Sequence, residues 1–282
     1  MTFGYEVRCK DTWGHVLEGL LQPQVQILNF GVSAYGLNQV FLRYEKEVRS
    51  WKPDIVLVGI SSEMIRRINS IYPFLMNPEW GTFLFNRPRL VNKNGVLSTI
   101  NAPVPSAKDV ASFLTIQELP HLDLDDYYRP VEWERGGMWT LLEQSYIFRF
   151  ANSLRPPANR IGEDDILRGA MESSRQVLTS LLDEITRDGA IPIVVYFPYA
   201  VELAAGNPDA TDLPLSLKTL RTAGIEYHDV SGCLQKVRTA SAYMGGGHYS
   251  PEGHLGIAQC LEPVVREVMQ RSKEKNPVPE RT

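Results

Sequence analysis

A histidine that opens a helical stretch behind a run of glycines is the residue in this chain best suited to move a proton. His248 stands in Gly245-Gly246-Gly247-His248-Tyr249-Ser250-Pro251-Glu252-Gly253-His254, and imidazole is the side chain that gains and loses a proton near neutral pH. Two other stretches hold groups that could act with such a base. In Asn29-Phe30-Gly31-Val32-Ser33-Ala34-Tyr35-Gly36, glycine lets backbone approach a bound molecule closely, and Ser33 is a candidate nucleophile. Ser33 lacks the G-x-S-x-G spacing of a nucleophile elbow and reads as a loop serine. In Gly59-Ile60-Ser61-Ser62-Glu63, a serine hydroxyl can donate a hydrogen bond, whereas an ionised glutamate only accepts.

The remaining chemistry-bearing residues read as structural. His254 suits packing or hydrogen bonding within the final helix, and His15 and His228 look structural. His121, Asp123, Asp125 and Asp126 in HLDLDDYY lack the glycine and closing glutamate of a calcium loop, so the stretch reads as a solvated acidic face. Trp133, Trp139, Tyr146 and Phe148 read as the core of a subdomain.

The elements that must position these residues follow from hydrophobic period. Four short apolar runs predict buried parallel strands: Val25 to Phe30, Asp54 to Ile60, Ile191 to Phe197 and Ile225 to Val230. Helical periodicity predicts helices over Thr12 to Leu21, Asn38 to Trp51, Asp165 to Asp188 and Pro251 to Met269, with Gly189 ending the third and Pro251 in the first turn of the fourth. Strands alternating with helices make a parallel sheet covered on both faces, and ligands of such sheets bind beyond the C-terminal ends of the strands. The stretch 66–163 breaks the alternation. It holds a hairpin, Arg89 to Ile100, turning at Lys93-Asn94-Gly95, and a helix near Met138 to Leu154. It reads as an inserted lid or subdomain within one domain spanning 1–271, followed by a flexible tail over 272–282.

In block order, NFGVSAYG, then KPDIVLVGI, then HYSPEGH before a last helix resembles the SGNH (GDSL-type) hydrolase superfamily, most closely bacterial members with a long insertion after the second of these strands. The resemblance implies a three-layer α/β/α flavodoxin-like fold and hydrolysis of a carboxylic ester, such as an acetyl group on a carbohydrate, through an acyl-serine. It places His248 at the catalytic histidine and Gly31 at an oxyanion glycine. At the third block, where the family carries an asparagine, stands Ser61, Ser62 or Glu63 depending on register, with Ser62 taken as the oxyanion or substrate residue. The opening Thr2-Phe3-Gly4 matches the residues after the nucleophile, so the serine is expected immediately before Met1, following a strand that precedes this chain. The aspartate expected two or three residues before the histidine is replaced by Gly245 and Gly246; a backbone carbonyl or a distant carboxylate is left to orient the ring. Two other functions fit the same cleft: acyl transfer to a glycan, and glycan or acyl-ligand binding without catalysis.

Composition narrows the partners. A net charge of −4 with no basic tract points away from nucleic acid. The apolar runs are far shorter than the roughly 20 residues of a membrane span. No metal or cofactor is expected; the partner is a small-molecule or glycan ester. Cys9, Cys233 and Cys260 are odd in number and far apart, and read as buried free thiols. The sequence leaves the compartment unknown: a true start at Met1 implies the cytoplasm, whereas residues ahead of it leave room for export or a membrane anchor.

Overall fold

The computed structural model describes residues 2–23, 25–77, 85–128, 141–142, 144–148, 163–204, 213–237, 239–245 and 247–275. In chain order its helices are α1 (Trp13–Leu21), α2 (Leu37–Lys46), α3 (Ser62–Arg66), α4 (Pro73–Met76), α5 (Ala107–Ser112), α6 (Glu163–Arg187), α7 (Ala200–Ala204), α8 (Leu215–Thr222), α9 (Ser231–Lys236), α10 (Thr239–Ala242) and α11 (Pro251–Lys275). The strands are β1 (Ile55–Ile60), β2 (Arg89–Lys93), β3 (Val96–Ile100), β4 (Ile191–Tyr196) and β5 (His228–Asp229). The chain is thus mixed α/β. It divides into two compact units, the first made of 1–35, 46–62 and 182–282, the second of 36–45 and 63–181. The expected insertion, about 66–163, falls inside the second unit.

The first unit is built on a parallel sheet in the order β1-β4-β5. Ile55 pairs with Ile191 and the register runs without a break to Ile60 and Tyr196. β-branched residues suit this pleat, and both faces are covered. Ile193 and Val195 join a core with Leu17 and Leu21 of α1 and Ile257, Ala258 and Leu261 of α11, while Val194 and Tyr196, which alternate with them, are buried too. Arg49 holds Asp188 through Nε at 3.0 Å and Glu184 through Nη2.

Two strand expectations need correction. Among the described residues, the stretch from Val25 to Phe30 joins no strand ladder. Its apolar pattern is a packing signal: Val25 and Ile27 lie on the core. Its polar bonds go to side chains instead, the Ile27 N–H donating to Glu18 Oε2 at 2.5 Å. The run Ile225 to Val230 shrinks to the two residues of β5, which pair with Val195 and Tyr196.

The cysteine expectation also fails. Cys233 of α9 and Cys260 of α11 form a disulfide, with Cα atoms 5.9 Å apart, and Cys9 is a free, exposed thiol. The two helices pack side by side, a proximity that a separation of 27 residues does not announce.

The second unit contains the hairpin β2–β3, in which Lys93 pairs with Val96. Asn94 and Gly95 turn it with φ of 55° and 87°, the left-handed pair that a two-residue turn needs. Its core gathers Ile71, Tyr72, Leu75, Ile100, Val110 and Leu122. Ser106 and Asp109 close a capping box on α5. Asp125 is not part of a solvated face. It is buried, and its carboxylate accepts the N–H groups of Ile71 (2.7 Å), Tyr72 (2.8 Å) and Tyr127 (3.0 Å). Alternation of acid and apolar residues hid which of the acids points inward. Gly189, with φ of 89°, ends the turn after α6, and α6 buries Ala170, Val177, Leu178, Leu181 and Ile185 along one side. Trp133, Trp139, most of the helix expected over 138–154 and the end of the tail lie outside the described residues.

Candidate active site in the first unit

The C-terminal ends of β1 and β4 are closed by a polar network around Glu202, in the first turn of α7. Its carboxylate accepts from Ser62 Oγ, from the Tyr196 hydroxyl at 3.1 Å and from the Tyr199 N–H at 2.7 Å. Ser62 Oγ also lies 3.1 Å from Ser216 Oγ and accepts the Ser216 N–H at 3.3 Å. The Ser62 proton is therefore given to Glu202, and the oxygen is occupied on both sides. Burial, and then the neighbouring Glu202, push the Tyr196 phenol well above its ordinary range, so it stays a donor at any pH the protein meets.

The opening segment of the chain passes close to Gly31 and to Gly59 of β1. A Cβ placed at Gly31 would lie 2.7 Å from Phe3 N and 2.8 Å from Thr2 C. One placed at Gly59 would lie 2.7 Å from the Phe197 ring and 3.3 Å from Thr2 Oγ1. Only glycine admits so close a backbone. Asn29 fixes this approach: its Nδ2 donates to Thr2 O at 2.8 Å and its Oδ1 accepts the Gly31 N–H at 2.9 Å.

His248 is presented by a loop pinned from behind. Tyr249, fully buried, donates to Pro198 O at 2.6 Å, Tyr243 donates to the same oxygen at 2.9 Å, and the Met244 N–H donates to His248 O at 2.7 Å. The imidazole, about a third exposed, meets two residues of the opening segment. Its Nδ1 is 3.3 Å from Glu6 Oε2, and the Tyr5 ring sits with its centroid 5.0 Å away. Glu6 holds this position at φ of 71°, a left-handed conformation that costs a non-glycine residue free energy. A carboxylate on Nδ1 takes that nitrogen's proton in a hydrogen bond and leaves Nε2 as the free base. Glu6 also lines a cleft of about 380 Å³, together with Phe3, Tyr5, Cys9 and Asn29.

His254 plays a different part. It is buried and its Nδ1 accepts the Trp13 N–H, at the start of α1, at 3.1 Å. Burial pulls it down to about 4, so it is a neutral acceptor bridging α1 and α11.

Of the three sequence-derived site residues, His248 and Gly31 both adjoin the opening segment, His248 through Tyr5 and Glu6 and Gly31 through Thr2 and Phe3. Ser62 belongs to the Glu202 network. Sequence reasoning missed Glu6, which precedes His248 by 242 residues, and Glu202. Asn29 could have been found: an Asn two residues before a loop glycine is an Asx-turn signal. Among the described residues, no group of three or more His, Cys, Asp or Glu is arranged to hold a metal ion, and no helix is long and apolar enough to cross a membrane. In comparisons with known proteins, no family model, curated protein or solved structure matches the chain.

Proposed function

We propose that this chain carries the histidine side of an SGNH-type ester hydrolase, on the three-layer flavodoxin-like scaffold of that superfamily. The reading is supported by one observation above the rest: the Glu6 carboxylate 3.3 Å from His248 Nδ1. In acyl-serine chemistry a carboxylate so placed orients the ring, and Nε2 takes the serine proton and returns it to the leaving alcohol. Glu6 then does the work of the aspartate whose usual positions are Gly245 and Gly246. In this reading a serine oxygen takes the acyl group, which then passes to water. The substrate is a carboxylic ester such as a carbohydrate acetyl group.

The test is hydrolysis of 4-nitrophenyl acetate by protein purified from its native source, with intact mass measured on the same sample. Turnover that His248→Ala abolishes, in a protein heavier than 31.8 kDa and carrying Gly-Asp-Ser before Met1, supports the reading. A mass equal to this chain and no turnover ends it.

A second reading, binding of a glycan or acyl ligand without turnover, is favoured by a separate observation. The Ser62 hydroxyl is given to Glu202 and the Gly31 N–H to Asn29, so neither faces a developing oxyanion. Saturable binding of an acetylated oligosaccharide without acetate release, in protein that does carry the serine, decides for it.

A further inference from the structure

We propose that Arg87 and Arg67 form a binding site in the second unit for a small oxyanion, with Arg87 grasping two of its oxygens through Nη1 and Nη2. Arg87 is 5% exposed, and among the described residues neither Nη1 nor Nη2 has a hydrogen-bond partner. Folded proteins pair buried guanidinium groups, because the water they lose must be replaced. Three described acids of this unit are engaged elsewhere. Asp125, close enough to act on Arg87, gives its oxygens to three backbone N–H groups. Asp126 faces Arg89 and Asn69, and Glu63 faces Arg66 and Arg67. The Phe85 ring lies 5.8 Å from the Arg87 guanidinium carbon, but an aromatic ring satisfies the flat face of a guanidinium, while its donors point outward in the plane.

The backbone around Arg87 is held as a site would be. The Arg87 N–H donates to Ile71 O at 2.9 Å. Asn101 Nδ2 donates to Arg87 O at 2.8 Å and to Asn86 Oδ1 at 2.7 Å, and Gln39 Nε2 donates to Pro88 O at 2.6 Å. Gln39 also receives the Gly36 N–H at 2.9 Å, and a Cβ at Gly36 would lie 3.3 Å from Arg67 Cβ. That chain of contacts brings Arg67 to the same place, where its buried Nε is likewise unpaired. Burial, and then repulsion from Arg67, lower the Arg87 guanidinium to about 10, so it remains cationic at neutral pH. Arg87, with both terminal in-plane donors unpaired, beside Arg67, whose Nε is unpaired while its Nη2 faces Glu63, fits a carboxylate or a phosphate, which accept two parallel N–H bonds from one arginine.

The test is thermal unfolding of the full chain in Tris chloride titrated with acetate, or separately with phosphate, at constant ionic strength. A midpoint that rises saturably with either anion, and does not rise in Arg87→Met, supports the site. Response to acetate alone assigns a carboxylate ligand; response to phosphate alone assigns a phosphate. Absence of a saturable rise with both, or an equal rise in Arg87→Met, overturns the proposal. Arg87→Met without added anion must unfold no lower than the parent, since it removes a charge that nothing pairs; a large drop would make the guanidinium a structural strut and overturn it too. Arg67→Met, which keeps Arg87, is expected to raise the half-saturating concentration about tenfold, the effect of losing one weak contact; an unchanged concentration removes Arg67 from the site.

Discussion

Glu6 Oε2 and His248 Nδ1 lie 3.3 Å apart although 242 residues separate them in the chain. The contact joins a strained turn near the N-terminus to the loop ahead of α11, and it selects which imidazole nitrogen is free. Glu6→Gln is expected to keep the fold and lose that selection. Nitrogen-15 NMR of His248 reads it directly: the Nδ1–H tautomer dominates in the parent, and the Nε2–H form gains in Glu6→Gln. In protein that turns over ester, the same substitution should lower kcat by on the order of 10²-fold or more with KM little changed, as loss of a histidine-orienting carboxylate does. An unchanged tautomer would remove Glu6 from the site.

His254 and Asp125 give the two units opposite responses to acid. His254 is pulled down to about 4 by burial, so its contribution is complete above the unfolded value near 6.5 and is lost as pH falls through about 4. Asp125 is pushed up to about 6 by burial, against the pull of three backbone N–H donors, so its contribution is complete below about 4 and is lost as pH rises through about 6. Amide hydrogen exchange resolved by peptide, at pH values from 4 to 7, should therefore show residues of α1 and α11 opening more readily in acid. The segment around Ile71 and Tyr72 should open less readily, relative to the change in intrinsic exchange. His254→Leu should destabilise by about 1–3 kcal/mol at pH 7, by stranding the Trp13 N–H, and abolish the first trend.

The Cys233–Cys260 bridge closes a loop across α9 and α11. Its removal should cost about 3 kcal/mol for a loop of this length, seen as a lower urea midpoint for Cys233→Ser/Cys260→Ser. Alkylation offers a separate check: of the three cysteines, one reacts in the oxidised native protein and all three after reduction and unfolding. Three reactive thiols without reductant would contradict the bridge.

Ser62→Ala leaves the Glu202 carboxylate one donor short at the end of β1. The expected loss is about 1–3 kcal/mol, the cost of leaving a buried polar group unsatisfied, measured by urea unfolding. Ester turnover per folded molecule should be unchanged, because the Ser62 proton points at Glu202. A large fall in kcat with intact stability would instead put Ser62 in contact with substrate.

What the sequence made legible was whatever rests on local pattern. The helices over Trp13–Leu21 and Glu163–Arg187, the strands Ile55–Ile60 and Ile191–Tyr196, and the hairpin turn at Asn94-Gly95 are each encoded within one contiguous stretch, by apolar period and by glycine where φ is positive. Three features were not legible, for a common reason. The run Val25 to Phe30 has strand composition, but a ladder requires a neighbour, and no single-segment pattern reports one. The Cys233–Cys260 bridge and the Glu6–His248 contact are also relations between distant parts, set by packing. In the acidic stretch, one carboxylate of four polar residues turned inward because free backbone N–H groups at Ile71 and Tyr72 lay opposite it.

The positive φ at Glu6 sets stability and chemistry against each other at one position. Glycine there would relieve the backbone and fold at least as well, while discarding the carboxylate. A library randomised at position 6 and selected only for folding should drift toward glycine or asparagine; one selected for turnover should return to glutamate. The residue recovered reports which pressure acted, so a thermostability screen applied blindly to this protein would raise its melting temperature while disarming it.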